Sequence, residues 1–571
     1  MKPALRLASC AVAIAAAGLL PPRDASGYAI EVHKDFYDLA FGGRDAGRSV
    51  QPPAAEDLVA FRRFVYDRAA AHPDFRKRWP SFERFDAAAF KEFLLLNPGK
   101  RVVGIDHVPA DRPTDVRTVV REGSVDPDND ERNQDRLYLD GNEVRLDPFG
   151  RAVPYDPRTV WFGGLTGIPS QFDAHGATLR TGKKGGGLWT ALRAPEQFAR
   201  PPVPLGSAPE FSETYTELAM IAALRGGPGG EWLALTFGGN NLHGIEDLGN
   251  QIHTTVLGIP EFFLDAKLTH TWLRIRNMFA SRAPDPASLG FVPPARLTTD
   301  QVNQAMALIK AGKEDQVDPK IRWALGKEPK GQPTDTELGI RIIGNHHRLL
   351  EDFVQEQYLA GARAIEAGHP ERALPAVRDL IRRAQAGDDA FERRCRNALA
   401  RAGLGARAKG QTPYARVIAE VMIEASAPEA APIYRATRKI SKKSLQRGGV
   451  YDKQLGHDVM DFVELEGNEK HVRTIWELSA RAFARVVSAI RLWDEVFQRE
   501  TSDVAAGSPE ALARAAAIVD RLVERQLAAL EAAEARRRDY LQEVETRWRE
   551  EKEAASRPGF LSRIKGWFRG R

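Results

Sequence analysis

Apolar residues recur at intervals of three and four positions along most of the chain, which is the spacing of an amphipathic α-helix. The spacing is clear in residues 57–66 and 85–96, and it returns in residues 211–224 and 232–243. From about residue 353 the chain becomes rich in Ala, Arg and Glu and keeps a helical pattern almost throughout. The sequence therefore predicts a mainly α fold.

Turn and capping residues mark two further elements. An Asp-Gly pair stands between short apolar stretches in residues 136–146, which favours a β-hairpin. Ser508, followed by Pro and Glu, is a strong start signal for a helix. We expect that helix to run to about residue 556, where an Arg-Pro-Gly sequence breaks it.

Length and charge set broad limits. At 571 residues the chain is too long for one ordinary core, so two domains are the natural expectation. The formal net charge is +5, and residues 1–27 carry +2 of it, which leaves +3 for the remainder. That bias is far from that of a histone-like polycation and does not by itself indicate a nucleic-acid partner.

The first 27 residues have the organisation of a secretory signal. Lys2 and Arg6 form a basic start, and residues 25–27 fit a small-residue cleavage site. The apolar run between them, residues 8–20, is too short to span a bilayer as a membrane helix. The sequence therefore predicts an exported protein, periplasmic or secreted.

The chain has two cysteines. Cys10 lies inside the signal and would be lost with it, which leaves Cys395 alone and rules out an intrachain disulfide. An exported protein of this kind depends on its core, which bound metal can reinforce.

Candidate chemistry is concentrated in residues 243–253. His243 and Asp247 are four residues apart, so on a helix they share one face and can hold one cation together. His253 lies roughly 280° further round an ideal helix and more naturally serves a second ion beside the first. Asp247, with two carboxylate oxygens, could bridge neighbouring ions. On this pattern alone, a surface ion pair or a capped loop stays an open alternative.

The same stretch resembles a known family. His243-x3-Asp247-x5-His253, with an Asn-Gln pair before the last His, is similar to the core of zinc-dependent phospholipases C and of the related three-zinc, single-strand-specific nucleases. The resemblance covers residues 28 to about 355. It implies a helical trinuclear-zinc hydrolase domain with insertions, in which one such helix supplies ligands to all three zincs.

The resemblance implies a group of ligands at the mature N-terminus. Cleavage after Gly27 would make Tyr28 the first residue, and its free amine and carbonyl could chelate one zinc. His33, a helical turn further on, would be a further ligand of the same zinc. The family usually has Trp at the position of Tyr28. An ordinary mature start with an exposed His is the alternative on this segment alone.

A further implied ligand lies in an acidic segment. Gly-x3-Pro-Asp128 resembles the Gly-x3-Pro-Asp segment of bacterial phospholipases C, whose Asp ligates a zinc and has been proposed as the general base. The match favours Asp128, with Asp126 as the fallback. An acidic solvated turn is the alternative that the residues leave open.

In the family a histidine ligand follows this Asp segment, and His175 takes that place here. It is the only His between residues 128 and 243, and it follows at a longer distance than is usual in the family. His107, upstream, is the runner-up.

The family also supplies a second His-x3-acid pair, which this chain places at His347 and Glu351 after an insertion over about residues 254–340. On a helix the two are again one turn apart. With His253 they would complete one zinc shell with room for water.

The resemblance thus implies about three zinc ions, held by nitrogen and oxygen donors without thiolate. The expected reaction is phosphodiester hydrolysis by a metal-bound hydroxide, since clustered zincs lower the pKa of a shared water and neutralise charge on the phosphate. Asp128 would orient or deprotonate that water, and Asp247 would set the metal spacing. The implied ligands are Tyr28, His33, Asp128, His175, His243, Asp247, His253, His347 and Glu351.

The C-terminal part of the chain lies beyond the resemblance. We expect an additional α-helical domain over residues 356–556 and a basic amphipathic tail over residues 557–571. The charged residues of the tail are all basic, and one helical face carries Phe560, Ile564, Trp567 and Phe568. This pattern favours contact with anionic lipid, and a frayed, solvated tail is the alternative.

The tail favours phospholipid as the substrate. The sequence therefore predicts a phospholipase C that associates peripherally with the membrane, acts on a phospholipid surface and has no stable nucleic-acid partner. A single-strand-specific nuclease with the same zinc site is the alternative, and it would need aromatic stacking platforms and a basic groove. A metal-stabilised binding protein without turnover is the second alternative.

Overall fold

The computed structural model describes residues 30–94 except 46, 114–127, 208–254, 335–404, 414–440 and 467–531, four short strands between residues 138 and 153, and residues 304, 308, 313 and 316. The signal segment 1–27, most of the insertion 254–340 and the tail 557–571 lie outside the described residues.

The described residues are mainly helical, which confirms the predicted fold class. In the first part of the chain the helices are α1 (Ile30–Phe41), α2 (Ala55–Ala69), α3 (Pro73–Arg78), α4 (Ala87–Phe93) and α5 (Val116–Gly123). They are followed by α6 (Ala208–Arg225), α7 (Gly230–Gly249), α8 (Asp335–Glu366), α9 (Pro375–Ala386), α10 (Asp389–Arg401), α11 (Tyr414–Ile440), α12 (Glu469–Thr501) and α13 (residues 509–531). Short 3₁₀ turns lie at Phe82–Arg84, Gln251–His253 and Pro370–Arg372. Among the described residues, no helix combines the length and the hydropathy that crossing a bilayer requires.

The predicted hairpin and the predicted helix start are both present. Strands β1 (Tyr138–Leu139) and β2 (Asn142–Glu143) pair antiparallel, and β3 (Arg145–Leu146) pairs antiparallel with β4 (Ala152–Val153). At the start of α13 the Ser508 hydroxyl accepts a hydrogen bond from the Ala511 amide at 3.2 Å. The expected end of that helix near residue 556 lies outside the described residues.

Helix α7 carries the central motif and is enclosed by other helices. It lies along α6, and α1, α5, α11 and α12 pack around it. All of its residues except Glu231 and Leu235 are buried. Buried polar groups need hydrogen-bond or ionic partners inside the protein. Six polar side chains of α7 are buried: Thr236, Asn240, Asn241, His243, Glu246 and Asp247. Most of them find partners within α7 or on the elements around it.

The C-terminal helices belong to the same core as the helices of the motif. Helix α12 packs against α1, α7, α9 and α11, and buried apolar residues from Val32 to Leu530 form one contiguous cluster. Helix α8 runs without a break across residue 355. The domain boundary at that residue stays a prediction, although helices from both sides of it pack in one core.

Arg491 on α12 fixes the C-terminal end of α1, the helix that carries His33. Its Nε donates to the Ala40 carbonyl at 2.8 Å, and its Nη2 donates to the Leu39 carbonyl at 3.4 Å. The same Nη2 donates at 2.8 Å to the Gln385 carbonyl, near the end of α9. The last carbonyls of a helix lack intrahelical donors, and a cation there also complements the helix dipole. One guanidinium therefore ties α1 and α9 to α12.

Helices α5 and α7 cross at glycines. A Cβ at Gly239 would lie 2.5 Å from the Val120 carbonyl oxygen and 2.9 Å from the Cα of Gly123. A Cβ at Gly123 would lie 2.9 Å from the Thr236 carbonyl oxygen. These contacts are with backbone, which cannot rotate away as a side chain can. The close crossing places Ser124, directly after α5, against the motif helix.

Gly239→Ala is expected to lower the free energy of unfolding by about 1–3 kcal/mol, because the added methyl group forces the two backbones apart. The loss is expected even though Ala is the better helix former by about 1 kcal/mol. Denaturant unfolding measures the change. Gly43→Ala is the control, since a Cβ at Gly43 meets no atom within 4 Å. Wild-type stability in Gly239→Ala would contradict the close crossing.

Candidate metal centre

Helices α1 and α7 bring four titratable side chains together in the interior. His33 comes from α1, and His243, Glu246 and Asp247 come from α7. Each of the four is 0% exposed. The predicted pairing on α7 is present, with His243 Nε2 at 3.1 Å from Asp247 Oδ2.

His33 approaches the other oxygen of the same carboxylate. Its Nε2 lies 3.7 Å from Asp247 Oδ1. The rings of His33 and His243 are tilted by 30° to each other, with centroids 4.3 Å apart. The Asp247 carboxylate thus presents one oxygen to each imidazole. An ion bound at either imidazole would therefore lie beside this carboxylate.

The second nitrogen of each imidazole is also engaged. His243 Nδ1 lies 2.8 Å from the Ser124 carbonyl oxygen, and His33 Nδ1 lies 2.6 Å from Glu246 Oε2. A carbonyl can only accept, so His243 carries a proton on Nδ1, and in the neutral ring Nε2 is then the basic nitrogen. Metal-bound histidines commonly donate their other N–H to a carbonyl or a carboxylate in this way.

A second group lies just beyond the end of α7. His253 Nε2 is 3.7 Å from Glu351 Oε1 on α8, and the Asn250 side chain donates to the same oxygen at 3.0 Å. All three residues are at most 3% exposed. His347 lies on α8 one turn before Glu351, but its side chain is outside the described residues.

His253 does not lie on the same helix as His243, contrary to the expectation of one continuous helix. Helix α7 ends at Gly249, and His253 lies on the 3₁₀ turn Gln251–His253. The rotation of an ideal helix therefore does not apply to it. His253 is nevertheless directed to Glu351, a different carboxylate from the one that His243 contacts.

The three imidazole–carboxylate pairs have the spacing of two ligands on one zinc ion. Atoms bound at about 2.0–2.1 Å to a tetrahedral zinc lie roughly 3.3 Å apart. The observed separations are 3.1 Å for His243 with Asp247, 3.7 Å for His33 with Asp247 and 3.7 Å for His253 with Glu351. The 2.6 Å contact of His33 Nδ1 with Glu246 is a hydrogen-bond distance instead.

The side chains of His33, His243 and Glu246 offer donor atoms within 4.8 Å of one another and can hold a metal ion. Asp247 adjoins both histidines of this group. Nitrogen and carboxylate oxygen donors suit zinc and related divalent ions. The donor chemistry of the described residues is therefore compatible with the metal expected from the sequence.

The charge of the two groups also favours cations. The described groups bury three carboxylates, those of Glu246, Asp247 and Glu351, beside three imidazoles. With neutral imidazoles these side chains carry a charge of −3 in a low-dielectric interior, which is costly without compensation. Either bound metal or protonation of the histidines can supply that compensation, and only neutral histidines can ligate metal.

Several predicted ligands cannot be placed. Tyr28, Asp128, His175 and the runner-up His107 lie outside the described residues. The fallback Asp126 is half-buried and stands two residues after Ser124, whose carbonyl contacts His243. The acidic segment therefore starts next to the centre.

Two participants were missed in the sequence. Glu246 received no role, although it stands on a helix that is apolar over most of its surface and whose few polar residues are therefore buried together. The Ser124 carbonyl could not be found, because a backbone contact across the α5–α7 crossing leaves no mark on residue type.

Comparison of the chain with protein families, with curated proteins and with solved structures found no match.

Proposed function

We propose that this chain is an exported zinc-dependent phosphodiesterase of the phospholipase C type. One observation carries the proposal: the buried Asp247 carboxylate stands between the Nε2 atoms of His33 and His243, at 3.7 and 3.1 Å. A carboxylate with a basic nitrogen at each oxygen is what a pair of neighbouring zinc ions requires.

The order of the residues supports the family proposed from the sequence. His33 comes from the first described helix, His243 and Asp247 from the central one, and His253 and Glu351 form the second group. These five residues span more than 300 residues of sequence, and they form two buried groups. Chance pairing of His with acidic residues would not favour that outcome.

The described side chains prepare the site for an anionic substrate. Zinc bound there would lower the pKa of a coordinated water and neutralise charge on a phosphodiester. Glu246 and the Ser124 carbonyl hold the two imidazoles in one orientation, and Asp247 faces both. The surrounding helices exclude bulk water, which strengthens each electrostatic contact inside.

The choice of phospholipid as substrate rests on the basic amphipathic tail, residues 557–571. A tail that places aromatic and basic residues at a membrane surface would bring the enzyme to anionic lipid. Export of the chain and peripheral association with membranes are parts of the same proposal.

The test uses the full chain produced in a host that exports it. Its N-terminal residue and zinc content are determined, and hydrolysis of phosphatidylcholine vesicles is compared with cleavage of single-stranded DNA, with and without chelator. We expect a chain starting at Tyr28, about three zincs and chelator-sensitive release of diacylglycerol. Preferential DNA cleavage would assign the site to the nucleases. A zinc-loaded protein without turnover would leave a binding protein, and a zinc-free protein would overturn the proposal.

A further inference from the structure

The turn that carries His253 is fastened to the C-terminal helices through its first residue. The Gln251 side-chain amide donates to Glu429 Oε2 on α11 at 3.2 Å and to the Leu478 carbonyl on α12 at 3.0 Å. Gln251 is only 1% exposed. His253 is the second residue after this anchor, so the position of the amide limits the position of the imidazole.

The acceptor of this anchor is itself held rigidly. Glu429 forms a two-pronged ion pair with Arg485 of α12, with N–O distances of 2.8 and 2.5 Å. Arg485 also donates to the Ala425 carbonyl at 3.2 Å, which ties the guanidinium back to α11. Bidentate guanidinium–carboxylate pairs are strong and specific in geometry. Their side chains are 10% and 13% exposed, so solvent screens the pair only weakly.

Helix α8, which carries Glu351, also packs against α12. Phe353, two residues after Glu351, packs its ring on Trp476 of α12 with centroids 5.6 Å apart. At the end of α7, a Cβ on Gly249 would lie 2.2 Å from Val486 Cγ2, so the motif helix ends directly on α12. Contacts with α12, a helix outside the resemblance, therefore support both His253 and Glu351.

We propose that Gln251, fixed by Glu429 and Arg485, is a positioning residue for the metal pair His253–Glu351, and that α11 and α12 form a structural part of the metal centre. The inference rests on the proposed function, because it assumes that this pair binds zinc. Metal affinity depends on holding ligands within about 0.5 Å of their productive positions. A turn released from its anchor exceeds that tolerance.

The test is Gln251→Met, which nearly keeps the volume of the side chain and removes both donated hydrogen bonds. Zinc release from the full chain is followed in competition with a chromophoric chelator. We expect the affinity for the ion of His253 and Glu351 to fall about 10–100-fold, which is the usual effect of losing a group that orients a metal ligand. The remaining ions should be released as in the wild type. Glu429→Gln weakens the ion pair and keeps an acceptor, so we expect a smaller loss of the same ion.

The control is Glu495→Gln, which breaks the ion pair of Arg396 with Glu495 on the outer side of α12. We expect wild-type zinc release in this variant. A wild-type profile in Gln251→Met would overturn the inference while leaving the proposed function intact, whereas a wild-type protein without zinc would overturn the proposed function. Loss of all zinc together with the folded structure in Gln251→Met and Glu429→Gln would also overturn the inference, because the anchor would then serve general packing.

Discussion

Asp247→Asn is expected to reduce phosphodiester hydrolysis on the order of a thousandfold or more. The amide is nearly isosteric with the carboxylate, but it is neutral and presents an NH₂ group where a second ligand oxygen stood. One side of the bridge between His33 and His243 is then lost. The ions that share this carboxylate are expected to leave, and the ion of His253 and Glu351 to stay. Values of kcat/KM and zinc content by elemental mass spectrometry measure both effects.

Thermal unfolding adds an independent measurement for this variant. A ligand that binds only the folded protein stabilises it in proportion to its affinity and concentration, so added zinc should raise the Tm of chelator-treated wild type more than that of Asp247→Asn. Asp520→Asn is the matched control, because it makes the same chemical change in an exposed pair with Arg68. That change should cost little stability, because exposed ion pairs contribute little, and it should leave zinc binding intact. Full activity and zinc in Asp247→Asn would contradict the bridge.

The contact of His243 with Asp247 follows from the sequence alone, because a spacing of four residues fixes neighbours on any α-helix. His347 and Glu351 are also four residues apart on α8, but the His347 side chain lies outside the described residues, so their contact stays a prediction. The rotation of an ideal helix does not apply to His253, because α7 ends at Gly249. That glycine is the only strong stop signal before the turn. Local spacing predicts contacts inside one helix and becomes unreliable across its end.

The association of His33 with α7 could not be predicted from periodicity. The two are separated by more than 200 residues, and only the family resemblance suggested that they meet. The structure shows the physical means, which are the packing of α1 on α7 and the guanidinium of Arg491 that fixes the end of α1. Arg491 is one of many arginines in a helical pattern, and its role depends on where α1 and α9 end.

The C-terminal helices were the least predictable part. Their composition indicates helices, but it does not indicate what they pack against. Glu429 and Arg485 stand in ordinary amphipathic sequence, where a charged residue is usually solvated. Their burial follows from the docking of α11 and α12 on the motif helix. The extra length of the chain beyond the resemblance is therefore part of the support of the centre.

Glu246 is expected to be the residue that orients His33, and two substitutions separate this role from direct ligation. Glu246→Met removes the acceptor of His33 Nδ1, so the ring can turn within its pocket, and zinc at His33 should bind about 10–100-fold more weakly. Glu246→Gln keeps an acceptor oxygen and should lose less affinity. Hydrolysis should fall in the same order. Chelator competition and the visible spectrum of the cobalt-substituted protein measure the site.

Glu231→Gln is the control, since it makes the same change on the same helix at a half-exposed side chain paired with Arg48. Wild-type zinc binding is expected there. If Glu246 were itself a ligand, the loss of its negative charge would release the ion, and Glu246→Gln would be as defective as Glu246→Met. The 2.6 Å contact shows that Glu246 Oε2 and His33 Nδ1 do not bind one zinc together, because two atoms bound to one zinc stay roughly 3.3 Å apart. The two substitutions therefore decide whether Glu246 ligates through its other oxygen. With Nδ1 held by Glu246, Nε2 is the nitrogen that His33 presents to Asp247 and to a metal ion beside it.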